Sequence, residues 1–128
     1  MKSFFFVLIT VLAAPAGAQE PAEAPDTYFP QQHSARDLLT ACASSSLTVT
    51  GRLRQRYCRG FVSGVEEAVR LLQLRDSGMS RGPFCIPAGT SARSLADTFI
   101  SHASGQGIDL DQPSASVVLE ALVKGFPC

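Results

Sequence analysis

The sequence predicts a small all-α domain of four helices, arranged as two helical hairpins that are each stapled by a disulfide. The placement of the cysteines carries this prediction, because Cys42 and Cys58 are symmetric about one predicted turn and Cys85 and Cys128 about the other. In an antiparallel helical hairpin, residues equidistant from the turn lie opposite each other. A signal-like N-terminus and apolar residues at helical spacing give the other two observations.

Cysteine counting alone leaves three connectivities open. Pairing Cys58 with Cys85 requires the intervening loop to return along the second helix, which rises about 27 Å from Cys58 to Arg75. A fully extended loop of about ten residues just spans that distance. The hairpin pairing Cys42–Cys58 and Cys85–Cys128 is therefore favoured, and the alternative remains open at this stage.

The N-terminus predicts export. Lys2 precedes the apolar run at residues 4–14, and Ala16 and Ala18 flank a glycine in a small-x-small cleavage pattern. We expect residues 1–18 to be a signal peptide cleaved after Ala18, because the apolar run is shorter than the roughly 20 residues that span a bilayer. The expected product is a soluble periplasmic protein with no stable membrane insertion.

The whole sequence carries 11 basic and 11 acidic side chains. Removal of residues 1–18 takes away only Lys2, so the mature chain has a net charge close to zero. Without a basic run, the composition argues against nucleic acid or an anionic membrane surface as the partner. Residues 19–32 are rich in Pro, Ala and Glu and predict a flexible leader. Residues 33–128 then form the predicted domain.

The first hairpin has clear start and turn signals. Ser34 is a predicted helix cap, with Asp37 three residues later in a capping-box-like position. Serines and β-branched residues at 44–50 place the turn there. The second helix is expected from Gly51 to about Leu74, with apolar residues recurring every three or four positions.

The second hairpin follows the same logic. Thr90 or Ser91 is expected to cap a third helix that ends near Ala103, before glycines at 105 and 107. Pro113 marks the start of a fourth helix. This last helix is apolar on more than one face, which predicts that it is the central one.

A stripe of small residues runs along the second helix at Gly60, Gly64 and Ala68. Each interior glycine costs roughly 1 kcal/mol of helix stability relative to alanine. Close approach of another helix is the usual compensation, so we predict helix packing at this stripe. Packing inside the monomer is favoured, and contact with a second copy or another partner is the alternative.

The loop at residues 76–83 is the candidate recognition element, because it combines glycines and a proline with side chains suited to contact. Asp76, Met79 and Arg81 are the predicted partner-binding residues. An ordinary solvated connector is an equally good interpretation of the loop.

No catalytic, cofactor or metal constellation is predicted. His33 and His102 have no partner histidine at helical spacing, and the sequence contains no Cys-x-x-Cys pair. A cysteine nucleophile needs a free thiol beside a base, whereas an even cysteine count in an oxidising compartment favours disulfides. Glu66 and Glu67 are adjacent, so their side chains diverge by about 100° around the helix. We therefore expect a protein that is not an enzyme.

Three short motifs resemble a known family. They are the CRGFVSGV run at residues 58–65, the FCIP run at 84–87, and the terminal FPC at 126–128. In order and spacing they resemble the Rap/Tai-type immunity proteins of bacterial type VI secretion systems, over roughly residues 38–128.

The resemblance implies a small all-α periplasmic domain, often dimeric, that binds a peptidoglycan amidase effector and blocks its active site without chemistry of its own. No contact residue can be carried over, because the matching motifs are structural ones. The alternative hypothesis is a general periplasmic interaction or envelope-assembly module on the same scaffold.

Overall fold

The computed structural model describes residues 34–75 and 82–128, and these form four helices packed around one core. The helices are α1 (Ala35–Cys42), α2 (Val49–Arg75), α3 (Ala92–Ala103) and α4 (Ser114–Gly125). No strand occurs within these two ranges, where the extended pairing is limited to a single bridge between Ser34 and Pro113. The predicted all-α four-helix fold is confirmed.

Both predicted disulfides are present. Cys42 and Cys58 join α1 to α2, with 5.1 Å between their Cα atoms. Cys85 precedes α3 and pairs with Cys128 beyond α4, with a Cα–Cα distance of 4.9 Å. The two-hairpin interpretation is therefore confirmed, and the alternative pairing of Cys58 with Cys85 is wrong.

The predicted caps begin α1 and α3. The Asp37 amide donates to the Ser34 hydroxyl at 3.2 Å, and that hydroxyl donates in turn to the Asp37 carboxylate at 2.6 Å. The Ser91 hydroxyl accepts from the Ser94 amide at 3.1 Å in the same way. Each side chain satisfies one of the donors that a helix leaves unpaired in its first turn.

The predicted boundary between α1 and α2 needs correction. The helix α2 starts at Val49 rather than at Gly51, so only part of the 44–50 segment forms the turn. Thr48 caps the helix, because its hydroxyl accepts from the Gly51 amide at 3.0 Å and its carbonyl accepts from the Arg52 amide at 3.1 Å. The cap outweighs the weak helix propensity of the β-branched residues that follow.

The core lies where the four helices meet, and each helix contacts the other three. The prediction that α4 is uniquely central is therefore not confirmed. Among the described residues, Phe99 of α3 is the largest side chain that is completely buried, and it belongs to a core cluster made mostly of aliphatic residues. The other core residues with almost no exposure include Val62, Val117, Val118 and Leu122.

Backbone contacts fix the start of α1 against the α3–α4 connection. The Ala35 amide donates to the Gln112 carbonyl and the Arg36 amide to the Leu110 carbonyl, both at 2.9 Å. The Arg36 guanidinium also pairs with Asp111 at 3.0 Å. As a result, polar contacts join the open end of the first hairpin to the α3–α4 turn of the second, in addition to the shared core.

Candidate functional site

The three predicted partner-binding residues, Asp76, Met79 and Arg81, lie outside the described residues, as do residues 1–33 with the predicted signal peptide and leader. The description stops at Arg75, the last residue of α2, and resumes at Gly82. The structure therefore shows the two ends of the predicted recognition loop and the surface between them.

A groove of about 520 Å³ occupies that surface, and we call it the loop-side groove. Three side chains of α2 form one wall, namely Glu66, Arg70 and Gln73. Residues 84–90 form the other wall, and Leu95 of α3 completes it. The volume of the groove is within the range of small-molecule sites.

The α2 wall carries a buried carboxylate that is neutralised from the solvent side. Glu66 is only 5% exposed, and its Oε1 accepts from the Arg70 Nε at 3.0 Å and from the Arg70 Nη2. The Arg70 side chain remains 62% exposed. The guanidinium thus compensates the buried charge while it still presents donors to a ligand in the groove.

The opposite wall is held by a covalent bond and by hydrogen bonds. The Cys85 amide donates to the Phe126 carbonyl at 2.8 Å beside the Cys85–Cys128 disulfide, and Phe84 is buried in the core. A turn follows, in which the Thr90 hydroxyl donates to the Pro87 carbonyl at 2.8 Å. Gly89 adopts φ +84° in this turn, which a side chain would strain. The wall is therefore preorganised for contact with a partner.

The amide of Gln73 is an unsatisfied polar group in the groove. Its Nε2 is buried and has no hydrogen-bond acceptor among the described residues. The side chain lies against Gly82, where a Cβ atom would overlap it. A buried donor without a partner costs about 1–3 kcal/mol. A ligand reaches this nitrogen only after the side chain moves, because the atom is buried.

An apolar tip adjoins the groove at the end of α2. Leu71, Leu72 and Leu74 are each more than half exposed, although they follow one another within four residues. Clustered exposed hydrophobic residues indicate an interaction surface more often than scattered ones do. The end of α2 therefore presents apolar contact groups, and the groove presents polar ones.

The small-residue stripe does not pack as the favoured interpretation required. Gly60, Gly64 and Ala68 are exposed, and no described atom lies within 4 Å of a Cβ built at either glycine. Packing of this stripe on another helix of the monomer is therefore not found in the part of the chain that the structure describes. Contact with a second chain remains the prediction for it.

The four cysteines are all in disulfides, and residues 34–75 and 82–128 contain no cluster of three His, Cys, Asp or Glu side chains that could hold a metal ion. Within the same residues, no helix is both long and apolar enough to cross a membrane. Sequence reasoning missed Glu66 and Gln73 as site residues. The i,i+4 relation of Glu66 to Arg70 was the available signal.

Fold and site together define a small, disulfide-stapled helical domain whose most developed surface is a groove beside a connecting loop. Comparison with known families identifies it further, since the family model for Rap1a immunity proteins matches residues 34–128. The chain therefore belongs to the Rap1a immunity protein family. Comparisons with curated proteins and with solved structures find no significant match.

Proposed function

We propose that this protein is a periplasmic immunity protein that binds and inhibits a peptidoglycan amidase effector of a type VI secretion system, without catalysis of its own. Family membership over residues 34–128 is the observation that carries the proposal. The two disulfides agree with an oxidising compartment. Export would be accompanied by removal of residues 1–18 through cleavage after Ala18, which the mass of the exported chain reports.

The contact surface in this proposal is the loop-side groove together with residues 76–81. The described walls are preorganised, since one is fixed by a disulfide and the other belongs to a long helix. Preorganised surfaces lose little conformational entropy on binding. The exposed donors of Arg70 offer hydrogen bonds to acceptors at the mouth of an enzyme cleft.

The direct test is inhibition of an amidase encoded beside this gene. The purified protein should abolish hydrolysis of peptidoglycan fragments at a stoichiometry of one binding site per enzyme. If no such amidase exists, enzymes captured from the periplasm are assayed in the same way. Capture of envelope proteins without hydrolase activity, and no inhibition of any wall amidase, would favour the alternative of a general periplasmic interaction module.

Alanine substitution of both Met79 and Arg81 is expected to weaken effector binding by about tenfold or more, because loop side chains that enter a cleft contribute most of the affinity. Binding is measured by isothermal titration calorimetry, and thermal unfolding of the variant is expected to match that of the parent. Leu47→Ala is the matched control, since Leu47 is exposed in the α1–α2 turn. Unchanged affinity in the double variant would remove the loop from the contact surface.

We also propose that the stripe of Gly60, Gly64 and Ala68 is a homodimer contact. Its exposure and the absence of a described neighbour support this, because glycines on an exposed helix face otherwise cost stability. Tyr57 and Phe61 lie beside the stripe with their rings 6.1 Å apart, and both are half-buried in the monomer. A second copy packed here would cover glycine and aromatic surface together.

The substitution Gly64→Leu distinguishes the effect of the stripe on the stability of the isolated chain from its effect on dimerisation. We expect the isolated chain to gain about 0.5–1 kcal/mol of stability, because leucine is a better helix former than glycine and the position is open. We expect dimerisation, measured by sedimentation equilibrium, to weaken about tenfold or more, because leucine prevents close approach. Gly64→Ala should keep most of the association. A dimer unaffected by Gly64→Leu would place the interface elsewhere.

A further inference from the structure

A second, smaller cavity of about 80 Å³ lies between α2 and α3, next to the Cys42–Cys58 disulfide. Two arginines line it from different helices, Arg59 from α2 and Arg93 from α3. The apolar part of the lining consists of the two cysteines with Ala96 and Ile100. Arg59 lies two helical turns before Glu66, so this cavity is distinct from the loop-side groove.

Neither guanidinium has a charged partner in the part of the chain that the structure describes. No carboxylate of the described residues lies within 4.0 Å of Arg59 or Arg93, although Asp97 lines the same cavity. Arg59 Nη2 donates at 3.3 Å to the Oε1 of Gln55, which is a neutral acceptor. The lining of the cavity therefore includes two basic residues and one acidic residue, with no ion pair among them.

Gln55 fixes the direction of the Arg59 side chain. Its own Nε2 donates to the Ser44 carbonyl at 2.6 Å, which leaves Oε1 turned toward the guanidinium. Arg59 is half-buried, and Cys58 and Ala96 behind it are almost fully buried. Charges next to a buried apolar surface interact more strongly than charges surrounded by water.

We propose that this cavity binds a carboxylate group. Guanidinium groups bind carboxylates through parallel N–H···O bonds, and Arg59 and Arg93 both line this cavity, so one carboxylate could use its two oxygens to bind both of them. A cavity needs only about 10–15 Å³ to hold one water molecule. The volume of about 80 Å³ is therefore large enough for the carboxylate end of an acidic side chain. Binding would bring the net charge of the cavity to zero.

The ligand is a carboxylate from either of two sources: an acidic side chain of a protein partner or a free small carboxylate. Both use the same two guanidiniums, and a protein source would add a contact distant from residues 76–81. The inference does not depend on the proposed inhibition of an amidase, because it rests on the charges and the shape of this cavity alone.

The test is a nuclear magnetic resonance titration of the arginine Nε–Hε signals in the purified protein with both disulfides formed. Sodium acetate, compared with sodium chloride at equal ionic strength, is expected to shift the Arg59 and Arg93 signals saturably and to leave the Arg36 signal unchanged. A terminally blocked peptide with one glutamate then tests the side-chain source, with its glutamine counterpart as control. Saturable shifts with acetate alone assign a free carboxylate, and shifts with the glutamate peptide assign an acidic side chain.

Three variants of the cavity and one control decide whether the cavity is the site. Arg93→Gln and Arg59→Gln should each weaken acetate binding roughly fivefold, whereas Arg36→Gln should not change it. Asp97→Asn should strengthen binding roughly fivefold, because it removes the competing carboxylate, and a purely structural role predicts no such gain. Shifts that do not saturate, or that persist in Arg93→Gln and fail to increase in Asp97→Asn, would overturn the proposal.

Discussion

Replacing Cys85 and Cys128 together with alanine is expected to lower the free energy of unfolding by about 4 kcal/mol. This disulfide spans 43 residues of sequence, a segment that includes the whole of α3 and α4, so its removal releases a large amount of chain entropy in the unfolded state. Small domains have about 5–15 kcal/mol of stability in total. The measurement is urea unfolding followed by far-ultraviolet circular dichroism.

The other disulfide provides the matched comparison. Cys42 and Cys58 are 16 residues apart, and the same entropy relation predicts a loss of about 3 kcal/mol for their double alanine variant. Both residues are buried, so the substitution also leaves a small cavity, which adds to the entropic loss. The stability losses of the two double variants should therefore be similar. A loss below about 1 kcal/mol for Cys85 and Cys128 would show that the reduced chain keeps the hairpin closed by other contacts.

The Cys85–Cys128 disulfide also holds one wall of the loop-side groove. Cys85 lies in the groove wall, and its amide donates a hydrogen bond to the Phe126 carbonyl. Without the disulfide, the wall depends on that hydrogen bond and on the buried Phe84 ring. Stability and preorganisation of the site are therefore coupled through one covalent bond.

The cysteine pairing could be predicted from the sequence because it follows from hairpin geometry, which depends only on where the turns lie. The caps at Ser34 and Ser91 were predictable for a similar reason, since a cap is a local interaction with residues three positions away. The start of α2 could not be predicted in this way, because two local preferences opposed each other there. The Thr48 cap outweighed the β-branched residues, and propensity alone does not rank such effects.

The orientation of the glycine stripe shows a different limit. The four-residue spacing of Gly60, Gly64 and Ala68 defines one helix face, but spacing does not state whether that face is inside or outside. In the structure the core side of α2 is marked instead by Cys58, Val62 and Glu66. A glutamate among the buried residues could not be expected from hydropathy, because its burial depends on Arg70 one turn away.

Both cavities depend on contacts between segments that are distant in sequence. The loop-side groove needs residues 84–90 beside the end of α2, and the smaller cavity needs Arg59 beside Arg93. No local pattern encodes such a pairing, since each arginine taken alone looks like an ordinary surface residue. Helix order and disulfide pairing restrict which segments can meet, but the side chains that meet there follow from packing.

Phe99→Ala is expected to lower the free energy of unfolding by about 4 kcal/mol, because truncation of a fully buried aromatic ring removes its transfer free energy and leaves a cavity. Phe99 is 0% exposed and lies in the core cluster to which all four helices contribute. Phe99→Leu should recover more than half of the loss, since leucine fills most of the same volume.

Leu47→Ala is the surface control for this substitution, because Leu47 is 89% exposed, and its effect should stay within about 0.5 kcal/mol. Urea unfolding of the three variants gives the comparison, and an unchanged slope with denaturant shows that the unfolded states are equivalent. A loss near that of Leu47→Ala would mean that the core closes over the missing ring. Leu95 is buried on α3 one turn before Phe99 and also lines the loop-side groove. A core that closes over the missing ring would therefore also allow the groove to change shape.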